Sequence, residues 1–141
     1  MRRSVFPCVA YCSLLMVVLV GLPSKAYAIK PFQEQFLKIY AGEEASEEFK
    51  ALVDEAKCNI CHIVKEDKKK VRNVFGKALQ QLLEKDEFPI AEFKKDQEKY
   101  AERLKELFKK TEGEKSGDDK HKTFGDRMKA NLLPGGDKDG K

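Results

Sequence analysis

Residues 46–62 read SEEFKALVDEAKCNICH, and this stretch contains both a helix start and a cysteine–histidine motif. Ser46 is a residue type that caps the N-terminus of a helix, and the two glutamates after it place negative charge in the first turn, where the helix dipole favours it. The stretch therefore predicts an amphipathic helix that delivers the segment 58–62 at its C-terminal end. Its predicted buried face consists of apolar residues at helical spacing: Phe49, Leu52, Val53, Ala56 and Ile60.

Cys58-Asn59-Ile60-Cys61-His62 has the spacing C-x-x-C-H, which is the attachment pattern of haem c. On a helical turn, positions i and i+3 face the same way, so both sulfurs can reach the two vinyl groups along one edge of a porphyrin. The next residue, His62, then projects towards the centre of the ring. We therefore predict one covalent haem c, with Cys58 and Cys61 as thioether residues and His62 as the proximal axial ligand of the iron.

The motif also has three other possible interpretations. A Cys58–Cys61 disulfide or redox pair of the thioredoxin type normally lies on a strand–helix unit, with the first cysteine opening a helix. A tetrahedral zinc site needs more ligands, and the only other histidine after residue 28 is His121. The third interpretation is coincidence. The residue types and their position behind a secretion signal favour haem over all three.

Residues 1–28 have the pattern of that signal. Two arginines near the start supply positive charge, residues 14–22 (LLMVVLVGL) are apolar, and Ala26-Tyr27-Ala28 supplies the small residues that a signal peptidase recognises. The apolar run is shorter than the roughly 20 residues that span a bilayer. We therefore predict cleavage after Ala28, a periplasmic or otherwise exported protein, and no stable membrane span.

Cleavage would remove 28 of the 141 residues and leave 113, the length of one domain. All 24 acidic residues remain, with 25 of the 28 basic ones, so the net charge falls from +4 to +1. This balance removes the main support for nucleic-acid binding. A chain of this length buries only about two-thirds of its surface on folding, and a haem would enlarge its apolar core.

Apolar residues elsewhere also recur at helical spacing, which predicts an all-α bundle of four to five short helices around one haem. Besides the helix after Ser46, we predict helices that begin at Pro31, after Asn73, at Pro89 (a long one) and after Thr123. Their predicted buried residues are Phe32, Phe36, Ile39 and Tyr40; Val74, Phe75, Ala78, Leu79, Leu82 and Leu83; Ile90, Phe93, Tyr100, Leu104, Leu107 and Phe108; and Phe124, Met128 and Leu132.

Two segments predict local disorder. Residues 111–122 (TEGEKSGDDKHK) contain no apolar residue, which predicts a mobile linker. Residues 134–141 (PGGDKDGK) predict a disordered tail. The predicted haem domain is therefore 29–133, with the linker inside it.

The chain resembles small bacterial mono-haem c-type cytochromes. The motif 58–62 follows an amphipathic helix, and residues 72–79 (RNVFGKAL) are similar to a segment in haem-containing relatives of exported cytochrome-like proteins. The resemblance, which does not extend over residues 85–122, implies a cytochrome c-like fold, thioether bonds at Cys58 and Cys61 and iron ligation by His62. It also implies a function: single-electron transfer between redox partners.

The chain departs from ordinary class I cytochromes at the second axial ligand. Those proteins usually take a methionine from a loop before the C-terminal helix, whereas Met128, the only methionine after residue 28, follows the long predicted helix. We predict Met128 as the distal ligand, with its thioether raising the reduction potential. The alternatives are that Met128 is a core residue, and that the distal position is taken by His121, by a lysine, or by no side chain.

Basic residues crowd the motif and form either a solvated loop or a docking face for an acidic redox partner. No set of substrate-processing residues accompanies the motif, so we expect an electron carrier and not an enzyme. Two other functions stay open: a haem protein with an open distal site that binds gaseous ligands or has peroxidase-like activity, and a haem-free exported interaction protein. The basic residues are Lys57, Lys65, Lys68, Lys69, Lys70 and Arg72.

Overall fold

The structure is a computed structural model that describes residues 30–63 and 71–141. The predicted signal 1–28 and four of the basic residues next to the motif, Lys65 and Lys68 to Lys70, lie outside these residues. Within them every regular element is a helix, and the β-type pairings are two isolated bridges, His62 with Arg72 and Lys115 with Thr123. The predicted all-α class is confirmed.

The helix starts follow from the capping residues. Ser46 Oγ accepts a hydrogen bond from the Phe49 N–H at 3.1 Å, and Asn73 Oδ1 accepts one from the Gly76 N–H at 2.9 Å. Thr123 forms a reciprocal capping box with Asp126. In the described part of the chain the helices are α1 (Lys30–Tyr40), α2 (Glu47–Ala56), a 3-10 turn (Lys57–Ile60), α3 (Val74–Lys85), α4 (Ile90–Phe93), α5 (Gln97–Glu112) and α6 (Phe124–Lys129).

The prediction of one long helix from Pro89 is wrong, because the chain forms α4 and then a separate α5. Asp96 has an extended backbone, with φ −140° and ψ 89°, and its carboxylate accepts a hydrogen bond from the Lys99 N–H at 3.2 Å. Aspartate competes well for free backbone N–H groups, so it starts a new helix where apolar periodicity alone indicates a continuous one.

The segment 111–122, predicted as a mobile linker, forms defined hydrogen bonds in the structure. α5 continues through Glu112, and the residues after it form a turn in which the Ser116 N–H donates to the Lys122 carbonyl at 3.0 Å. Asp118 accepts a hydrogen bond from the Lys120 N–H at 2.8 Å. Polar side chains thus supply hydrogen-bond partners for backbone groups in this segment. A prediction from apolar content alone does not detect such bonds.

The C-terminal residues 134–141, predicted as a disordered tail, form hydrogen bonds with the rest of the domain. Leu133 and Pro134 are buried. The Arg127 guanidinium donates to the carbonyls of Leu133 at 2.8 Å and Gly136 at 3.1 Å. These bonds replace the apolar contacts that the tail lacks.

The core lies where α5 packs against α1 and α3. Phe108 of α5 makes edge-on contacts with Phe36 at 5.9 Å and stacks on Phe75 at 6.5 Å between ring centroids. Most of the predicted buried residues are buried, but Val74 and Ile90 are 49% and 38% exposed. No helix among residues 30–63 and 71–141 has the length and apolar character needed to cross a bilayer.

Two valines in helices test how much of the stability comes from this burial. Val53 in α2 is fully buried, whereas Val74 at the start of α3 is half exposed. We expect Val53→Ala to lower the free energy of unfolding by about 2 kcal/mol, since it removes buried methyl groups and leaves a cavity. The matched control Val74→Ala should change it by less than about 0.5 kcal/mol. Chemical denaturation measures both, and equal losses would contradict the assigned core.

Candidate functional site

The motif 58–62 forms a separate turn that follows α2. Lys57 has φ 49° and ψ −116°, so the chain changes direction where α2 ends at Ala56. The backbone N–H groups of Cys61 and His62 both donate to the Cys58 carbonyl, at 3.3 and 3.1 Å. These bonds are the i+3 and i+4 bonds of a helical turn, although the turn is not the end of α2 itself. We call residues 58–62 the motif turn.

His62 is buried, and its ring is held from one side. Its Nδ1 atom lies 3.2 Å from the Val71 carbonyl oxygen, so the tautomer with a proton on Nδ1 donates to Val71 and leaves Nε2 as a free acceptor. Burial lowers the pKa of His62, Arg72 acts in the same direction, and the bond to Val71 opposes them. A neutral imidazole with one nitrogen tied to a carbonyl is the form in which histidine binds metals.

The two thiols have different surroundings. Cys58 is exposed, and its Sγ lies 3.9 Å from Gln33 Oε1, while Cys61 is partly buried against the core. Burial raises the pKa of the Cys61 thiol to about 12. At neutral pH the Cys61 sulfur is therefore a protonated thiol and not a thiolate.

Cys58, Cys61 and His62 line one cleft of about 280 Å³ that is partly open to solvent. This volume is close to the lower limit of about 300 Å³ for small-molecule pockets. α1, the motif turn, α3 and residues 87–90 form the walls. Most of the wall is apolar, with Phe32, Phe36, Ile60, Leu79, Leu83, Phe88 and Ile90.

The basic and the acidic residues of the cleft lie in different places. Lys57 and Arg72, next to the motif turn, and Lys30 at the start of α1 are basic. Glu84 and Glu87, at the end of α3 and after it, are acidic. The cleft therefore combines apolar walls, one imidazole and a basic margin at the motif. A basic margin beside apolar walls suits an apolar group that carries carboxylates.

Asn73 connects the motif turn to α3. While its Oδ1 caps α3, its Nδ2 donates to the carbonyls of Asn59 at 2.9 Å and Ile60 at 3.0 Å, and its backbone N–H donates to the Cys61 carbonyl at 3.1 Å. Gly76 allows this approach, because a Cβ there would overlap the Cys61 carbonyl. The sequence analysis identified Asn73 only as a helix cap.

The C-terminal segment contacts the motif turn from another side. The Asn59 side chain donates to the Lys138 carbonyl at 3.0 Å, and Lys138 Nζ lies 2.7 Å from Glu55 Oε1 in α2. Gly140 has φ 77°, and a Cβ there would overlap the His62 carbonyl. Sequence analysis missed this contact, for which the only signal was the number of glycines in residues 135–140.

The structure brings Cys58, Cys61 and His62 together, but it does not bring Met128 or His121 to them. Met128 lies in α6, where it packs against the core, and it is not among the residues of the cleft. His121 lies in the turn after α5, with its Nδ1 at 3.1 Å from Asp118 Oδ2. Distal ligation by Met128 therefore stays a prediction that this geometry does not support.

The comparisons with known proteins give no identification. The chain matches no family model, no curated protein and no solved structure. Across residues 30–63 and 71–141, no group of three or more histidine, cysteine, aspartate or glutamate side chains is arranged to hold a metal ion.

Two glycines test the close approach of α3 to the motif turn. Gly76→Ala should lower the free energy of unfolding by about 1–3 kcal/mol despite the better helix propensity of alanine, because the new Cβ meets the Cys61 carbonyl. The control is Gly113→Ala, where the nearest atom to a Cβ is 3.5 Å away. Unfolding by denaturant measures both variants. Equal stability of Gly76→Ala and the unchanged protein would show that α3 does not lie this close.

Proposed function

We propose that this protein is an exported mono-haem c-type cytochrome that carries single electrons between redox partners. The observation that supports this proposal best is that Cys58, Cys61 and His62 all line one mostly apolar cleft. The motif alone leaves open whether such a cleft exists. A haem bound there would supply an iron that cycles between the ferrous and ferric states.

The residues that would hold the group have distinct roles. Each cysteine would add its S–H across one vinyl C=C bond, so that sulfur bonds to one carbon and hydrogen to the other, with no net oxidation. His62 would bind the iron through Nε2, while the Val71 carbonyl fixes the ring orientation through Nδ1. The apolar wall would exclude water from the iron, which affects its reduction potential.

The local fold favours this role over a dithiol redox pair. The motif turn follows a helix, whereas thioredoxin-type pairs normally lie on a strand–helix unit. Burial raises the pKa of the Cys61 thiol to about 12, so this sulfur is protonated at neutral pH. A thioether at Cys61 would carry no charge, which suits the buried position of this sulfur.

The basic margin of the cleft indicates the charge of the proposed partner's docking face. Lys57 and Arg72 lie beside the motif turn, at the edge of the cleft. A redox partner with an acidic docking face would approach this margin, where opposite charges accelerate encounter. The partner remains a proposal.

Covalent haem is the decisive test. The full-length protein, produced in a host with a working haem-attachment system, should keep a peroxidase-active haem through denaturing electrophoresis, since thioether bonds survive unfolding. The double variant Cys58→Ser, Cys61→Ser should lose all of it. Cys12→Ser in the signal is the matched control and should retain it. A colourless, secreted and folded unchanged protein would refute the proposal.

The position of Met128 favours a second candidate function, a haem protein with an open distal site that binds small gaseous ligands. A methionine that packs against the core contributes to stability through its volume and not through iron ligation. If that is its role here, the iron's second face is available to an external ligand. The two functions share the same attachment chemistry and differ in the second axial ligand.

Met128→Leu distinguishes the two candidates, because leucine has a similar volume but no sulfur. For an open site we expect the visible spectrum and the reduction potential of the haem-bearing variant to match those of the unchanged protein, and carbon monoxide to bind the reduced form of both rapidly. The change in stability should be below about 1.5 kcal/mol. A changed spectrum together with a lowered potential would instead identify Met128 as the distal ligand.

A further inference from the structure

Both polar atoms of the Asn73 side chain form hydrogen bonds, whereas a helix cap requires only one of them. It is 3% exposed, and a cap needs only the Oδ1 atom, which accepts from Gly76. Its Nδ2 group donates to two carbonyls of the motif turn, those of Asn59 and Ile60. Serine or aspartate would cap α3 equally well but could not make these two bonds.

The contacts of Asn73 lead directly to the His62 ring. The backbone N–H of Asn73 donates to the Cys61 carbonyl at 3.1 Å, and two residues earlier the Val71 carbonyl lies 3.2 Å from His62 Nδ1. The Ile63 N–H also donates to the Val71 carbonyl, at 3.1 Å. The orientation of the imidazole thus depends on where residues 71–73 lie relative to the motif turn.

Residues 137–141 complete the support of the turn. Asp137 Oδ1 accepts hydrogen bonds from the N–H groups of Asp139 and Lys141, both at 2.9 Å, which closes these residues into a small loop. That loop places the Lys138 carbonyl against Asn59 and Gly140 against the His62 carbonyl. The motif turn is therefore held between two elements that are distant in sequence.

From these contacts we infer that Asn73 is a positioning residue for the His62 imidazole, assisted by the C-terminal loop 137–141. Its amide holds the motif turn and residues 71–73 in register, so the Val71 carbonyl meets Nδ1 and Nε2 is directed to the ligand position. The functional meaning of this inference rests on the proposed role of His62 as an iron ligand. The contacts themselves do not depend on haem.

Asn73→Ser isolates the two donor bonds, because serine retains the cap of α3. In the haem-free chain, amide hydrogen exchange in residues 59–62 should accelerate about tenfold, as expected for the loss of two hydrogen bonds, while exchange in α5 stays unchanged. The ¹⁵N shifts of the His62 ring nitrogens, which report the tautomer, should also move. In the haem-bearing protein the reduction potential should shift.

Asp96→Ser is the matched control, since it exchanges a capping residue for serine at α5, away from the cleft. A chain that ends at Gly136 is the second variant, and it should accelerate exchange in residues 59–62 while leaving α5 protected. Unchanged exchange in the motif turn of Asn73→Ser, or faster exchange with unmoved His62 shifts, would overturn the inference. If the unchanged protein carries no haem, the proposed function fails, but exchange and ring shifts still decide the role of Asn73.

Discussion

One amide side chain joins the two halves of the site. The Asn73 side chain accepts a hydrogen bond from the Gly76 N–H at the start of α3 and donates hydrogen bonds to two carbonyls of the motif turn. The bonds to the Gly76 N–H and the Ile60 carbonyl are buried, and the bond to the Asn59 carbonyl is partly buried. Buried backbone groups without partners would cost free energy. If the motif turn moved away from α3, several polar groups would therefore lose their hydrogen-bond partners at once.

The core provides the rigid base for this arrangement. The Phe36, Phe75 and Phe108 rings fix α1, α3 and α5 relative to one another, and two of those helices also form walls of the cleft. Phe75 lies directly before Gly76, so its burial in the core also determines how closely α3 approaches Cys61. Stability and site geometry consequently depend on neighbouring residues of one helical turn.

Local patterns in the sequence identify most of the helices, and the structure confirms the caps at Ser46, Asn73 and Thr123. Such patterns work where a helix has an apolar face and a capping residue. They miss the break at Asp96, where a single side chain divides a helix, and they do not indicate the hydrogen bonds and glycine contacts of residues 134–141. The cleft was implied by the motif, but its walls depend on tertiary packing that no local pattern specifies.

The contact between Asn59 and the Lys138 carbonyl joins residues 79 positions apart. Closing so long a loop costs chain entropy, which the packing of the native state must offset. Synthesis proceeds from the N-terminus, so residues 58–62 leave the ribosome well before residues 137–141, which contact them. The two cysteines and the histidine thus pass through an interval without this contact.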